Sequence, residues 1–206
     1  MADPIPPHWP DPRQIMTFAP GDPDENPWVM GQPPPESITL QPWCPDWQVR
    51  FAQLEREIRK VLGGGALAVE HVGSTAVTGL AAKPVIDIDC IVPDPGCEET
   101  YRPRLEALGY VMTVRERSWY GHRMFRHTHP RANLHIFGPA CPEHARHILF
   151  RDWLRTHPDE RERYARVKTQ ASIGVANVQE YNRNKQALIL AIYQRIFAYR
   201  GWTDPA

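Results

Sequence analysis

Residues 85–92, Val-Ile-Asp-Ile-Asp-Cys-Ile-Val, constrain the fold more than any other stretch of the chain. Valine and isoleucine dominate it, and the run Pro93-Asp94-Pro95-Gly96 closes it with turn-forming residues, so the pattern predicts a strand. Side chains two apart on a strand share a face. Asp87 and Asp89 therefore stand together, while Ile86, Ile88 and Cys90 face the core. Neighbouring carboxylates repel, and a cation between them removes that cost. Hard divalent ions such as Mg²⁺ are held by oxygen pairs of this kind, usually together with substrate phosphates. The plain alternative is the solvated face of an edge strand.

A short strand predicted at 66–70 runs toward Gly73-Ser74-Thr75, where small residues let backbone N–H groups approach an anion. A helix beginning at Ser74 would point its positive end at the same place. Such a turn is common by itself; its position just upstream of the paired aspartates gives it weight. Lys83 lies between turn and strand, placed either for a phosphate or as an ordinary loop lysine.

Trp47, Phe51, Leu54, Ile58 and Val61/Leu62 recur at helical spacing, which predicts a helix with Asp46 as N-cap and Gly63-Gly64-Gly65 as its end. A second helix is predicted at about 98–108, and strands at 110–114, 120–126 and 133–137. From Pro142 the pattern is helical, over 142–156, 159–172 and about 178–199. Strands in the middle and helices at the end, without strict alternation, point to a mixed α+β sheet. Thirteen of the 22 prolines lie before residue 46, including Pro33-Pro34-Pro35. Such a segment cannot sustain regular backbone hydrogen bonding. Residues 1–36 are read as a proline-rich arm, either disordered or wrapped on the domain through Trp28 and Phe18, and 37–206 as the domain itself.

The 206 residues suffice for one domain with a substantial core. Twenty-four basic residues balance 24 acidic ones, so no global field favours nonspecific nucleic-acid binding. No apolar run approaches the roughly 18–20 residues of a membrane span, and the first residues lack the features of a signal peptide. No membrane partner is expected, and the expected compartment is the cytoplasm. Cys44, Cys90, Cys97 and Cys141 form no C-x-x-C pair, which argues against a zinc site or a disulfide framework.

Residues 71–92 resemble the GrpB family, a branch of the polymerase-beta-like nucleotidyltransferase superfamily. The resemblance continues through Asn133-Leu-His-Ile-Phe137, Phe150-Arg-Asp-Trp-Leu-Arg-Thr-His-Pro158, Tyr164-Ala-Arg-Val-Lys168 and Tyr181-Asn-Arg-Asn-Lys185. It covers roughly 40–199 and leaves the arm outside. The fold it implies is α+β: a nucleotidyltransferase-like mixed β-sheet with an N-terminal helix and a C-terminal helical segment. It also implies that Gly73 and Ser74, with Thr75, hold the phosphates of an NTP substrate. Asp87 and Asp89 would bind Mg²⁺ or Mn²⁺ for in-line transfer. Lys168, Tyr181 and Lys185 match family positions.

This chain departs from the superfamily where a neighbouring strand should supply a third carboxylate. That strand reads Asn-Leu-His-Ile-Phe and puts His135 beside the aspartates. An imidazole ligates metals softer than Mg²⁺, serves as an acid–base group, or is simply hydrogen-bonded within the sheet. Arg123 suits a phosphate or a surface ion pair. His144, His147, Arg151 and Arg155 line one face of the helix 142–156, as a solvated face or a basic wall for RNA or a nucleotide. Trp119 and Tyr120 stack a base or belong to the core.

Three functions follow. The first is metal-dependent nucleotidyl transfer from an NTP to a small-molecule acceptor, with Asp87, Asp89 and His135 as the catalytic residues. The second is amide or peptide formation from aminoacyl-tRNA on the same fold. The third is a non-catalytic nucleotide-binding module. The oligomeric state leaves no signature in the sequence.

Overall fold

The computed structural model describes residues 6, 8–32, 34, 36–175 and 177–203. In it the alternating segment becomes β2 (Ile86–Ile91) of a five-stranded sheet, with β1 (Ala68–Val72), β3 (Val111–Glu116), β4 (His122–Thr128) and β5 (Arg131–Phe137). The order is β1-β2-β5-β4-β3; β2 and β5 run parallel and every other neighbouring pair is antiparallel. The helices are α1 (Pro12–Met16), α2 (Asp46–Leu62), α3 (Arg102–Glu106), α4 (Pro142–Thr156), α5 (Pro158–Ala171) and α6 (Val178–Tyr199).

The period-two pattern divides the sheet into two unlike faces. Ile86, Ile88, Cys90, Phe125, Leu134 and Ile136 pack with Trp47, Leu54 and Ile58 of α2 and with Tyr101 and Leu105 at α3. Each large apolar side chain buried in this way contributes about 1.5–3 kcal/mol. A second apolar cluster joins α4, α5 and α6 through Leu149, Leu154, Tyr164, Ile192 and Ile196, and takes in Val77 and Leu80 from the loop after β1. The polar face of the sheet, which carries the aspartates, is left looking toward these C-terminal helices.

Local differences from the sequence expectations have plain causes. Asp46 is the first helical residue of α2 and Pro45 holds the cap position; Asp46 acts through its charge in the first turn, not as a side-chain cap. The helix expected at 98–108 divides into a 3₁₀ turn, Glu98–Thr100, and α3, because Pro103 has no N–H to continue the earlier bonds. β4 begins two residues later than expected because Tyr120 and Gly121 both take positive φ, 54° and 60°, and form a left-handed corner.

The described part of the arm is wrapped, not loose. Ile15 is fully buried against the helical cluster, and Phe18 lies 5.4 Å from the Tyr193 ring. The buried Arg146 donates to the Ile15 and Thr17 carbonyls at 2.8 and 3.1 Å, holding the end of α1 on α4. Further along, Arg115 donates its backbone N–H to Pro27 at 2.8 Å, and Trp28 forms an antiparallel bridge with Val114 on β3. Pro33 and Pro35 of the proline run lie outside the described residues. All four cysteines are free. Among the described residues no helix is long and apolar enough to cross a membrane.

Candidate functional site

β1 ends at Val72, and the chain bends at Gly73 with φ 69° and ψ −171°, a conformation open essentially to glycine alone. The 3₁₀ turn Ser74–Ala76 follows. The Thr75 hydroxyl donates to the Val85 carbonyl at 3.1 Å and meets His71 Nε2 at 3.0 Å, which locks the turn onto the start of β2. His71 is stacked on Phe51, and burial pushes its pKa down to about 3, so it is neutral there. A Cβ placed on Gly73 would sit 2.5 Å from Asp87 Oδ2. The glycine bend and the first aspartate therefore face each other directly. Asn133 donates its side-chain N–H to Asp87 Oδ1 at 2.9 Å, while burial raises the Asp87 pKa.

A cavity of about 460 Å³ opens at this point, within the usual range of ligand pockets. Gly73, Ser74, Thr75, Lys83, Asp87 and His135 border it from the sheet side, and Lys168, Tyr181 and Lys185 from the helices. Lys168 Nζ donates to the Ala81 carbonyl at 2.6 Å, and Lys185 Nζ lies 4.0 Å over the Tyr181 ring. Burial, and after it the charge of Lys185, brings Lys168 down to about 7; burial and Lys83 bring Lys185 down to about 8. The acidic residues on the wall are Asp87 and Glu36, and Glu36 is paired with Arg131. α6 starts at the same wall, with Asn177, Val178 and Gln179 bordering the cavity, so its positive end adds to the field. Three lysines are thus crowded at this cavity at the cost of their own ionisation.

Asp89 shares the pleat with Asp87 but not its surroundings. It is fully buried. His144 Nδ1 donates to its Oδ2 at 2.9 Å, and His147 Nδ1 reaches both oxygens at 3.1 and 2.9 Å. Burial alone would raise the Asp89 pKa; the charge of His147 and the two imidazole bonds override it and hold the group well below the usual carboxylate range. His147 is correspondingly held protonated by Asp89 and Glu143, against its own burial. The donor set thus does not fit a divalent cation held between the two aspartates, and among the described residues no group of three His, Cys, Asp or Glu side chains converges as metal ligands. Asp87 alone fits the common mode in which Mg²⁺ takes one or two carboxylates plus substrate phosphates.

His135, where the resemblance leads one to expect a third carboxylate, is paired in register with Asp89. Glu116 Oε2 lies 2.7 Å from His122 Nδ1, and His122 Nε2 lies 3.0 Å from His135 Nδ1. The Glu116 carboxylate accepts a hydrogen bond from His122 Nδ1–H, so in the neutral tautomer of His122 Nε2 is the acceptor and His135 Nδ1 the donor. That leaves His135 Nε2 as a lone pair with no partner among the described residues, on a ring that borders the cavity. Burial and the neighbouring His122 push His135 down to about 3, so it is the neutral acceptor throughout the physiological range.

The remaining expected residues lie elsewhere. Arg123 faces away from the cavity and pairs with Glu98 at 2.8 Å. Arg151 donates to Glu70 and to the His71 carbonyl, and Arg155 to the Ala76 carbonyl, so this face of α4 is docked on β1 and the turn after it. It is neither the solvated face nor the open basic wall considered from the sequence. Trp119 and Tyr120 pack with Phe137 in a small cluster apart from the cavity. Arg151 does border a second space of about 440 Å³, lined mainly by Phe18, Val77, Phe150, Tyr164, Ile189 and Tyr193. The two cavities share Gly73, Ser74, His147 and Asn182. Asn133, and the tie from Asp89 to His144 and His147, were not read from the sequence. Asn133 was within reach, since it lies two residues before His135 and so on the same strand face.

A mixed sheet with a glycine-serine turn facing an aspartate on the adjacent strand defines a protein of the nucleotidyltransferase-like α+β class. The family profile described as "GrpB protein" matches residues 37–195. The chain is 44% identical over 160 residues to the UPF0157 protein BH1888 of Halalkalibacterium halodurans, covering 77% of this chain and 82% of that one. It is 36% identical over 173 residues to the UPF0157 protein SCO7215 of Streptomyces coelicolor, covering 84% and 91%. The crystal structure of the conserved protein GrpB from Enterococcus faecalis superposes with a TM-score of 0.68 at 27% identity, over 80% of this chain and all of that one. The chain belongs to the GrpB family.

Proposed function

We propose that the protein is a nucleotidyltransferase-like enzyme that binds an NTP in the first cavity and transfers its nucleotidyl group to an acceptor held in the second. The observation that carries this reading is the convergence of Lys83, Lys168 and Lys185 with the Gly73-Ser74 turn and Asp87 on one cavity. In the reaction the acceptor hydroxyl or amine attacks the α-phosphorus, and the bond from that phosphorus to the bridging oxygen of the pyrophosphate breaks. The acceptor's proton passes to His135 Nε2, and pyrophosphate leaves. The lysines neutralise the charge that builds on the leaving group. His135 is a weak base in the free protein; a polyanion beside it raises its proton affinity as the reaction needs. A Mg²⁺ ion brought by the triphosphate would be held by Asp87 and would supply further charge neutralisation.

Calorimetric titration of ATP, with and without Mg²⁺, tests the reading. The native protein is expected to bind both forms. Asp87→Asn is expected to bind metal-free ATP at least as tightly, because a like charge has gone, and to lose several-fold affinity for Mg²⁺–ATP. Native protein that takes up neither form of ATP would end the proposal, and ATP bound without turnover on any acceptor would reduce it to a binding module.

A further inference from the structure

The arm supplies a wall of the first cavity that the family match, which begins at residue 37, does not include. Register shows how. Asp89 pairs with His135, His135 with Met124, Met124 with Val114, and Val114 with Trp28. Residues paired across a sheet share a face, so the Trp28 indole is set on the same polar side as the aspartates. Three strand spacings of ~4.8 Å, roughly 14 Å in all, separate Trp28 from His135. Between them lie Met124 and Arg126, which border the cavity with Trp28. Trp28 is only half-buried. Arg126 keeps a buried Nε–H with no acceptor among the described residues, a cost that a hydrogen-bonding guest removes. The cavity is thus polarised along its length. Lysines, a helix N-terminus and the glycine bend mark one end; an indole, a thioether and an unsatisfied guanidinium N–H mark the other.

We propose that Trp28, Met124 and Arg126 form the base-binding end of this cavity, with a planar nucleobase stacked on the indole and an acceptor on its edge meeting Arg126 Nε. This assignment rests on the reading that the lysine end holds phosphates, and it gives the occupant its class: a nucleotide with a base, not inorganic polyphosphate or another simple polyanion. Stacking of a base on an aromatic side chain is of the size that alanine substitution detects readily. Trp119 and Tyr120, the aromatic residues considered for this role from the sequence, pack in a separate cluster.

The test compares ATP with inorganic tripolyphosphate by calorimetry on the full chain and on Trp28→Ala and Trp28→Phe. Native protein is expected to bind ATP about tenfold or more tighter than tripolyphosphate, which corresponds to one stacking contact. Trp28→Ala is expected to bring ATP down to the level of tripolyphosphate, with tripolyphosphate binding unchanged, and Trp28→Phe to retain most of the preference. Equal affinity of the native protein for the two ligands overturns the assignment and leaves the phosphate site standing. So does a Trp28→Ala variant that weakens both ligands alike, which would make the indole a support for the arm. Binding of neither ligand by the native protein removes the phosphate reading itself, and this one with it.

Discussion

The double substitution Lys168→Met, Lys185→Met is expected to lower ATP affinity by more than a hundredfold without destabilising the folded protein. Each ammonium donating to a phosphate oxygen contributes about 1.5–3 kcal/mol. Two such losses amount to about 3–6 kcal/mol, beyond two orders of magnitude in Kd. In the free protein the lost bond from Lys168 to the Ala81 carbonyl is offset by the removal of two buried charges that repel each other and Lys83, and methionine keeps the unbranched stem. The pH dependence separates this account from a structural one. In the folded chain Lys168 and Lys185 lose their protons near 7 and 8, below the ordinary lysine value of 10.5. From those values up to 10.5 the unfolded chain binds more protons than the folded one, so these groups make stability rise with pH across that window. The proposed phosphate contacts need the charged ammonium groups, so ATP affinity is expected to fall over about pH 7–9. Calorimetry and thermal melts at successive pH values should show opposite slopes in the native protein, and both should flatten in the double variant.

Gly73→Ala is the second large effect. The backbone at Gly73 lies where an L side chain is strained, at about 1–3 kcal/mol, and the added methyl would meet Asp87 Oδ2 at 2.5 Å. Asp87 must move, which breaks the bond from Asn133. A stability loss of about 2–4 kcal/mol is expected, read in a urea melt as a lower midpoint with an unchanged slope. Loss of measurable ATP binding is expected with it, since the turn proposed to meet the phosphates is displaced. Gly64→Ala provides the contrast: nothing lies within 4 Å of a Cβ there, and stability should stay within about 0.5 kcal/mol of the native value.

The fold was legible where local chemistry decides it. β2 was readable because β-branched residues alternate with aspartates between clear turn signals, and α2 because its apolar stripe ends in three glycines. The parallel pairing of β2 with β5 was not, since register depends on contacts between strands distant in sequence. The same limit applies to the site. Gly73, Ser74, Lys83, Asp87, His135, Lys168, Tyr181 and Lys185 do converge on one cavity. The two aspartates looked equivalent in the sequence because they share a strand face. They differ because α4 delivers His144 and His147 to Asp89 alone. The negative charge expected from a third carboxylate has a counterpart in Glu116, at the far end of two imidazoles on β4 and β5. No periodicity within one element shows such a relay, because it is built across three strands.

The arm shows the opposite case. Its prolines exclude regular structure, yet its aromatic and apolar residues carry enough burial to hold it on the domain: Ile15 is fully covered and Phe18 reaches Tyr193. Without Arg146 the carbonyls at the end of α1 would lose their buried donor. The second cavity draws part of its wall from this segment through Phe18, so the arm borders the space proposed for the acceptor as well as the one proposed for the base.

The most direct test is a crystal structure of the protein with a nonhydrolysable ATP analogue. The account predicts triphosphate density against the Gly73-Ser74 backbone, within hydrogen-bonding distance of Lys168 and Lys185, with His135 Nε2 turned toward it. Triphosphate bound away from the lysines would contradict the account, as would a cavity that stays closed to the analogue at concentrations that saturate binding.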